Sequence, residues 1–172
     1  NLVEYFPSTF KQLRLTEGVS LEELVECVKD RAFHPAKNIR KLNRLDERGG
    51  KSGSFVYRTY DNKFIIKTIT SKEKTVMLND LLEDYTARVL SNSSALVRIL
   101  GVFMLQVIDN FSVDLLIMEN IAYGTGVPVF KFDLKGCTQD RADNRRGSSL
   151  KSNESFMKDL DFLTQVGSLK LE

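Results

Sequence analysis

Hydrophobic and polar positions change period several times along the chain, and the changes divide it into elements. Pro7 suits a helix's first turn, Phe6, Phe10 and Leu13 recur near one face, and Gly18 ends the segment. Ser20-Leu21-Glu22-Glu23 is a capping box that opens a second helix, with Leu21, Leu24, Val25 and Val28 inward. Ile39 to Asp46 reads as a strand with Arg40 and Arg44 outward. Phe55 to Tyr60 and Lys63 to Thr68 are β-branched and aromatic, and Asp61-Asn62 between them reads as a tight turn. Thr70-Ser71-Lys72-Glu73 is another capping box. It starts a long helix reaching Ser91, with Val76, Met77, Leu81, Leu82, Tyr85 and Val89 as its apolar stripe. Val97 to Ile108 is β-rich, Asp109-Asn110 turns the chain, and Val113 to Met118 returns. Tyr123-Gly124-Thr125-Gly126 breaks regularity. Val127 to Leu134 then reads as a strand and Phe156 to Val166 as a helix. Antiparallel hairpins around one long helix predict an α+β domain.

Composition narrows the classes without choosing a function. With 42% hydrophobic and 28% charged residues in 172, the chain can bury a real core. A formal charge of +2 is too small to argue for nucleic acid. Cys27 and Cys137 have no metal-ligand spacing and suggest a reducing compartment. No apolar run is long enough to span a membrane. The first residue is Asn1 rather than methionine, so the expectation is a segment of a longer protein.

The chemistry concentrates around residues 49 to 68. A P-loop would require its first glycine at position 45, which is Leu45, and a helix after Gly50-Lys51-Ser52, where the residues favour a strand. The glycines therefore cap a hairpin. A glycine-rich hairpin followed by a strand lysine is the kinase arrangement, in which the loop covers the ATP phosphates and the lysine pairs with them. Lys67 stands at the required place. Strand alternation puts Phe64 and Ile66 on one face, with Ile65 and Lys67 on the other.

Five segments in order resemble the phosphatidylinositol phosphate kinase family, specifically the N-terminal part of its kinase domain, as in phosphatidylinositol 4-phosphate 5-kinases. They are Phe6 to Arg14, the glycine loop Gly50-Lys51-Ser52-Gly53-Ser54, the lysine strand Phe64 to Thr68, Phe132-Asp133-Leu134-Lys135-Gly136-Cys137-Thr138, and Lys158 to Leu163. Cys137 stands where the family usually has serine, and Gln139-Asp140 replaces a more basic context.

The resemblance implies a kinase-like N-terminal lobe over residues 1–172. It implies ATP and Mg²⁺ as cofactors, a phosphatidylinositol phosphate as substrate, and work as a cytoplasmic, peripheral protein at an anionic membrane surface. Gly50, Lys51, Ser52, Gly53 and Ser54 would approach the phosphates. Lys67 would pair with them, and Lys135 would add a second positive group. Met118, Glu119, Asn120 and Ile121 would form the hinge that holds adenine. Glu73 and Glu83 both remain open as the partner of Lys67. The catalytic and metal-holding carboxylates are expected beyond Glu172, so this segment alone is expected to be inactive. Arg145 and Arg146, within a basic run, are expected to meet the membrane. A protein kinase lobe, and a non-catalytic module for homodimerisation or membrane docking, are the rival readings.

Overall fold

The computed structural model describes residues 1–29, 54–59, 61–91, 94–108, 111–126, 132–140 and 157–167. It divides into two units, Asn1–Tyr123 and Gly124–Glu172. The expected strand at Ile39 to Asp46 lies outside the described residues.

The first unit is built on a five-stranded antiparallel sheet in the order β1-β4-β5-β3-β2. Its strands are β1 (Leu2–Tyr5), β2 (Val56–Arg58), β3 (Phe64–Ile69), β4 (Ile99–Ile108) and β5 (Phe111–Glu119). Alternation along the strands gives the sheet two apolar faces. Phe64 and Ile66 of β3, Phe103 of β4, and Leu115 and Ile117 of β5 are buried on one face with Leu24. Val102, Ile69 and Leu116 pack on the other face with Phe10, Leu13, Leu78, Leu82 and Val89. Helix α1 (Pro7–Glu17) and the long helix after β3 therefore cover one side, and α2 (Leu21–Lys29) the other. This is the expected α+β lobe.

Three sequence expectations change. Phe6 is half exposed and left-handed (φ 48°), because it turns the chain from β1 into α1 rather than joining the α1 face. In α2, Leu24 is fully buried, Val25 is half-buried and Leu21 is exposed. The long helix is not uniformly α-helical. α3 (Ser71–Thr75) leads into a π-helical segment (Val76–Leu81) and then α4 (Leu82–Leu90). The wider i→i+5 turn rotates the stripe. Leu78 is buried in place of Leu81, which is 49% exposed.

Two local features fix β4. A register shift falls between Ile99 and Gly101, and the Leu100 carbonyl there accepts a hydrogen bond from Arg14 Nη1 at 2.9 Å. Arg14 also pairs with Glu4, so a buried ion pair joins α1 to β1 and to this bulge. Gly101 admits no side chain, since a Cβ there would collide with the buried Phe103 ring.

In the second unit, Phe132 forms an isolated parallel bridge with Met157 and packs edge-on against Phe162 of α5 (Asp159–Gln165) at 5.1 Å. Of the strand expected over Val127 to Leu134, residues 127–131 lie outside the described residues, and Phe132 to Leu134 contribute only that bridge. Asp133 to Gly136 instead follow an irregular path fixed by hydrogen bonds to Asp159 and Met157.

Candidate functional site

The hairpin of β2 and β3 is set by its turn. Asn62 adopts the left-handed conformation (φ 59°), and buried Thr59 exchanges hydrogen bonds with Phe64. At the open end Thr68 Oγ1 accepts from the Phe55 amide at 2.8 Å. Ser54 is half-buried where the chain enters the hairpin. Gly50, Lys51, Ser52 and Gly53 lie outside the described residues.

Register places Lys67 opposite Val56 of β2 and Leu116 of β5. It leaves the sheet on the expected face, the one shared with Ile65, Ile69 and Leu116. Its ammonium meets Glu73 Oε1 at 3.1 Å. Glu73 is the N3 residue of α3, and its other oxygen accepts from the Thr70 amide at 2.8 Å. Thr70 Oγ1 accepts in turn from the Glu73 amide at 3.1 Å, which completes the capping box. Cap and lysine partner are thus one carboxylate with an oxygen for each role. The Thr70 amide, and then the Lys67 ammonium, hold Glu73 below the usual carboxylate value against its partial burial. Glu83, the other candidate, is exposed on α4 and makes no ion pair among the described residues.

Beside Lys67 the same face carries an apolar strip that, among the described residues, belongs to neither of the helix-covered clusters. Ile65 pairs with Met118, and both are half-buried, while Val56 is exposed. A charged lysine next to an open apolar floor suits a ligand with an anionic tail and a flat apolar body.

The strip ends at the expected hinge. The Glu119 amide donates to the Arg98 carbonyl at 2.9 Å, which closes β5. Asn120 is buried and ties the hinge to the β2–β3 turn. Its Nδ2 donates to the Asn62 carbonyl at 2.6 Å, its amide to the Lys63 carbonyl at 2.9 Å, and its Oδ1 accepts from the Ala122 amide at 3.2 Å. Its side chain therefore holds the end of β5 against the β2–β3 turn. Ile121 is 74% exposed, and among the described residues its amide has no hydrogen-bond partner. An open cleft of about 260 Å³ near the hinge is lined by Glu17, Lys63, Phe64, Leu100 and Glu119. It lies on the Phe64 face, away from Lys67, and is separate from the apolar strip.

Lys135 belongs to the second unit. Its amide and that of Gly136 both donate to Oδ1 of buried Asp159, at 2.9 and 2.8 Å, and its ammonium pairs with Asp133 at 2.8 Å. Gly136 has φ 70°, the left-handed geometry that lets two successive amides converge on one oxygen. Asp159 was visible in the sequence as part of a family-like segment, but nothing in its spacing marked it as the anchor of Lys135. Arg145 and Arg146 lie outside the described residues.

Residues 38–172 match the protein family described as phosphatidylinositol-4-phosphate 5-kinase. A probable phosphatidylinositol phosphate kinase of Dictyostelium discoideum is 29% identical over 161 residues, covering 92% of this chain and 21% of that protein. The human phosphatidylinositol 4-phosphate 5-kinase type-1 beta is 36% identical over 118 residues, 68% of this chain and 21% of that protein. The pig phosphatidylinositol 5-phosphate 4-kinase type-2 alpha is 26% identical over 167 residues, 94% of this chain and 37% of that protein. The chain thus spans about a fifth to just over a third of the length of these relatives.

Proposed function

The chain belongs to the phosphatidylinositol-4-phosphate 5-kinase family, and from that premise we propose that the full protein transfers the terminal phosphate of ATP to the headgroup of a phosphatidylinositol phosphate. The observation that carries this reading is the Lys67–Glu73 pair beside the open strip of Val56, Ile65 and Met118. In it, Lys67 neutralises charge on the ATP phosphates, Glu73 keeps its ammonium aimed, and the strip receives adenine. The Ile121 amide supplies a hinge donor. Residues Gly50 to Ser54 cover the phosphates, and Lys135 adds a second positive charge. Mg²⁺, held by carboxylates elsewhere in the protein, supplies further charge neutralisation when bound.

No described helix is long and apolar enough to cross a membrane. We assign the protein to the cytoplasmic membrane surface, with Arg145 and Arg146 contributing to docking on anionic lipid. The test is phosphate transfer by the full protein from labelled ATP to vesicles carrying phosphatidylinositol 3-, 4- or 5-phosphate, with Lys67→Ala as control. Transfer that Lys67→Ala abolishes supports the reading. Transfer to peptides but to none of the lipids would replace it with a protein kinase.

A further inference from the structure

Glu73 sits in a helical segment with little to hold it. α3 has five residues, none of them buried, and it runs directly into the π segment. The packed part of the long helix begins at Leu78 and continues through Leu82 and Val89. Apolar packing therefore anchors the helix downstream of Glu73 and leaves the turn that carries Glu73 to polar contacts.

Besides the Thr70 capping box and the Lys67–Glu73 pair, those contacts come from the next residue. Lys74 Nζ reaches Asp114 Oδ2 of β5 at 2.8 Å and Tyr5 Oη at the end of β1 at 3.1 Å. It also lies 4.8 Å from the centroid of the Tyr5 ring. The Tyr5 hydroxyl donates to Asp114 Oδ1 at 3.0 Å, so the three groups close a cycle in which each touches the other two. The cluster is well enclosed, with the Asp114 side chain 13% and the Lys74 side chain 25% exposed. Asp114 stands opposite Ile69 in the β3–β5 register, two residues along from Lys67 and on its face. The sheet position that presents Lys67 and the helical turn that presents Glu73 are thus tied together by a second ion pair. Asp114, and next Tyr5, hold the Lys74 ammonium above its ordinary value of 10.5, so it stays charged through neutral pH.

We propose that Tyr5, Lys74 and Asp114 are positioning residues that clamp the first turn of α3 to the sheet and so hold Glu73 at Lys67 during phosphoryl transfer. They touch neither nucleotide nor lipid. Their effect on the reaction passes through the Glu73 carboxylate, and the inference rests on the kinase reading above.

The test uses the full-length protein with ATP, Mg²⁺ and vesicles carrying the phosphoinositide that it phosphorylates best. Asp114→Asn keeps the shape and removes the charge, and it is expected to lower kcat about tenfold in the wild-type background. In a Glu73→Gln background the same change is expected to cost less than about twofold, because the carboxylate to be positioned is already gone. Lys74→Met should behave as Asp114→Asn, and Lys74→Arg should recover most of the rate. If Asp114→Asn does not fold, Tyr5→Phe, which removes one hydroxyl, carries the same comparison with a loss of about threefold. A tenfold loss that persists in the Glu73→Gln background, or folded clamp variants with wild-type kcat, overturns the clamp and leaves the kinase reading standing. Wild-type lipid phosphorylation by Lys67→Ala and Glu73→Gln themselves overturns the clamp together with the roles assigned to Lys67 and Glu73, and absence of lipid phosphorylation by the wild-type protein overturns the kinase reading itself.

Discussion

Lys67 and Glu73 are six positions apart in the chain, and the turn from β3 into α3 closes them into an ion pair of 3.1 Å. Both side chains are partly exposed, and an exposed pair contributes about 0–1 kcal/mol to stability. Stability is therefore a poor reason for this geometry. On the proposed function, aiming a charge at a reacting phosphate is a better one, since a preorganised contact acts mainly on the transition state.

In the full-length protein, Lys67→Ala should lower kcat by about 10²–10³ while shifting the unfolding midpoint little. Lipid phosphorylation and a thermal melt of the same preparation check both halves. A variant with near-normal kcat would remove Lys67 from the site.

The two roles of Glu73 can be separated. Glutamine at this position still completes a capping box, so Glu73→Gln should keep the helix start while losing the charge beside Lys67. Thr70→Ala does the reverse, and removing such a cap costs about 1 kcal/mol. The expected pattern is a large loss of activity with a small loss of stability for Glu73→Gln. For Thr70→Ala the expected losses are in the opposite proportion. Equal effects on both measurements in both variants would mean that cap and lysine orientation are inseparable.

Acid should expose the same carboxylate. The folded protein holds Glu73 below its ordinary value of 4.5, through the Thr70 amide first and Lys67 after it. A depressed folded value means that ionised Glu73 favours the folded state. Its contribution is complete above about pH 4.5 and fades as pH falls through the folded value. The stability difference between wild type and Glu73→Gln, followed by urea midpoint from pH 7 downward, should therefore be flat until about pH 4.5 and shrink below it.

Much of this site was legible because its signals are local. Period-two alternation gave the face of Lys67, and a four-residue capping pattern gave the start of α3. The misses are of three kinds. β1 has four residues at a sheet edge with Val3 exposed, too few alternations to read as a strand. The π segment moves Leu78 inward and Leu81 outward, and a 3.6-residue period cannot anticipate that. The cluster of Tyr5, Lys74 and Asp114 joins residues up to 109 positions apart, so only the folded sheet brings it together.

The basic run that contains Arg145 and Arg146 leads to a prediction from charge alone. Each basic residue near an anionic leaflet contributes about 1 kcal/mol, and salt screens it. The double change Arg145→Glu with Arg146→Glu should sharply weaken flotation of the full protein with phosphoinositide vesicles, and high salt should mimic it. ATP binding should stay nearly unchanged. Flotation equal to that of the parent protein would place the membrane face elsewhere.

Asp159 and Lys135 supply the last prediction. One carboxylate oxygen accepts from two successive amides, and hydrogen bonds to a charged group contribute about 1.5–3 kcal/mol each. Removing it leaves both donors without their acceptor at the point where Lys135 leaves the backbone. Asp159→Ala should therefore displace Lys135 and reproduce the catalytic defect of Lys135→Ala, although Asp159 carries no charge complementary to phosphate. Asp159→Asn retains one oxygen acceptor and should be milder. If Lys135 acts on the nucleotide, both changes should raise KM for ATP in the full-length enzyme. The double variant Asp159→Ala with Lys135→Ala should then be little worse than Lys135→Ala, because an anchor has no effect once its cargo is gone. Fully additive losses would mean that Asp159 serves α5 rather than Lys135.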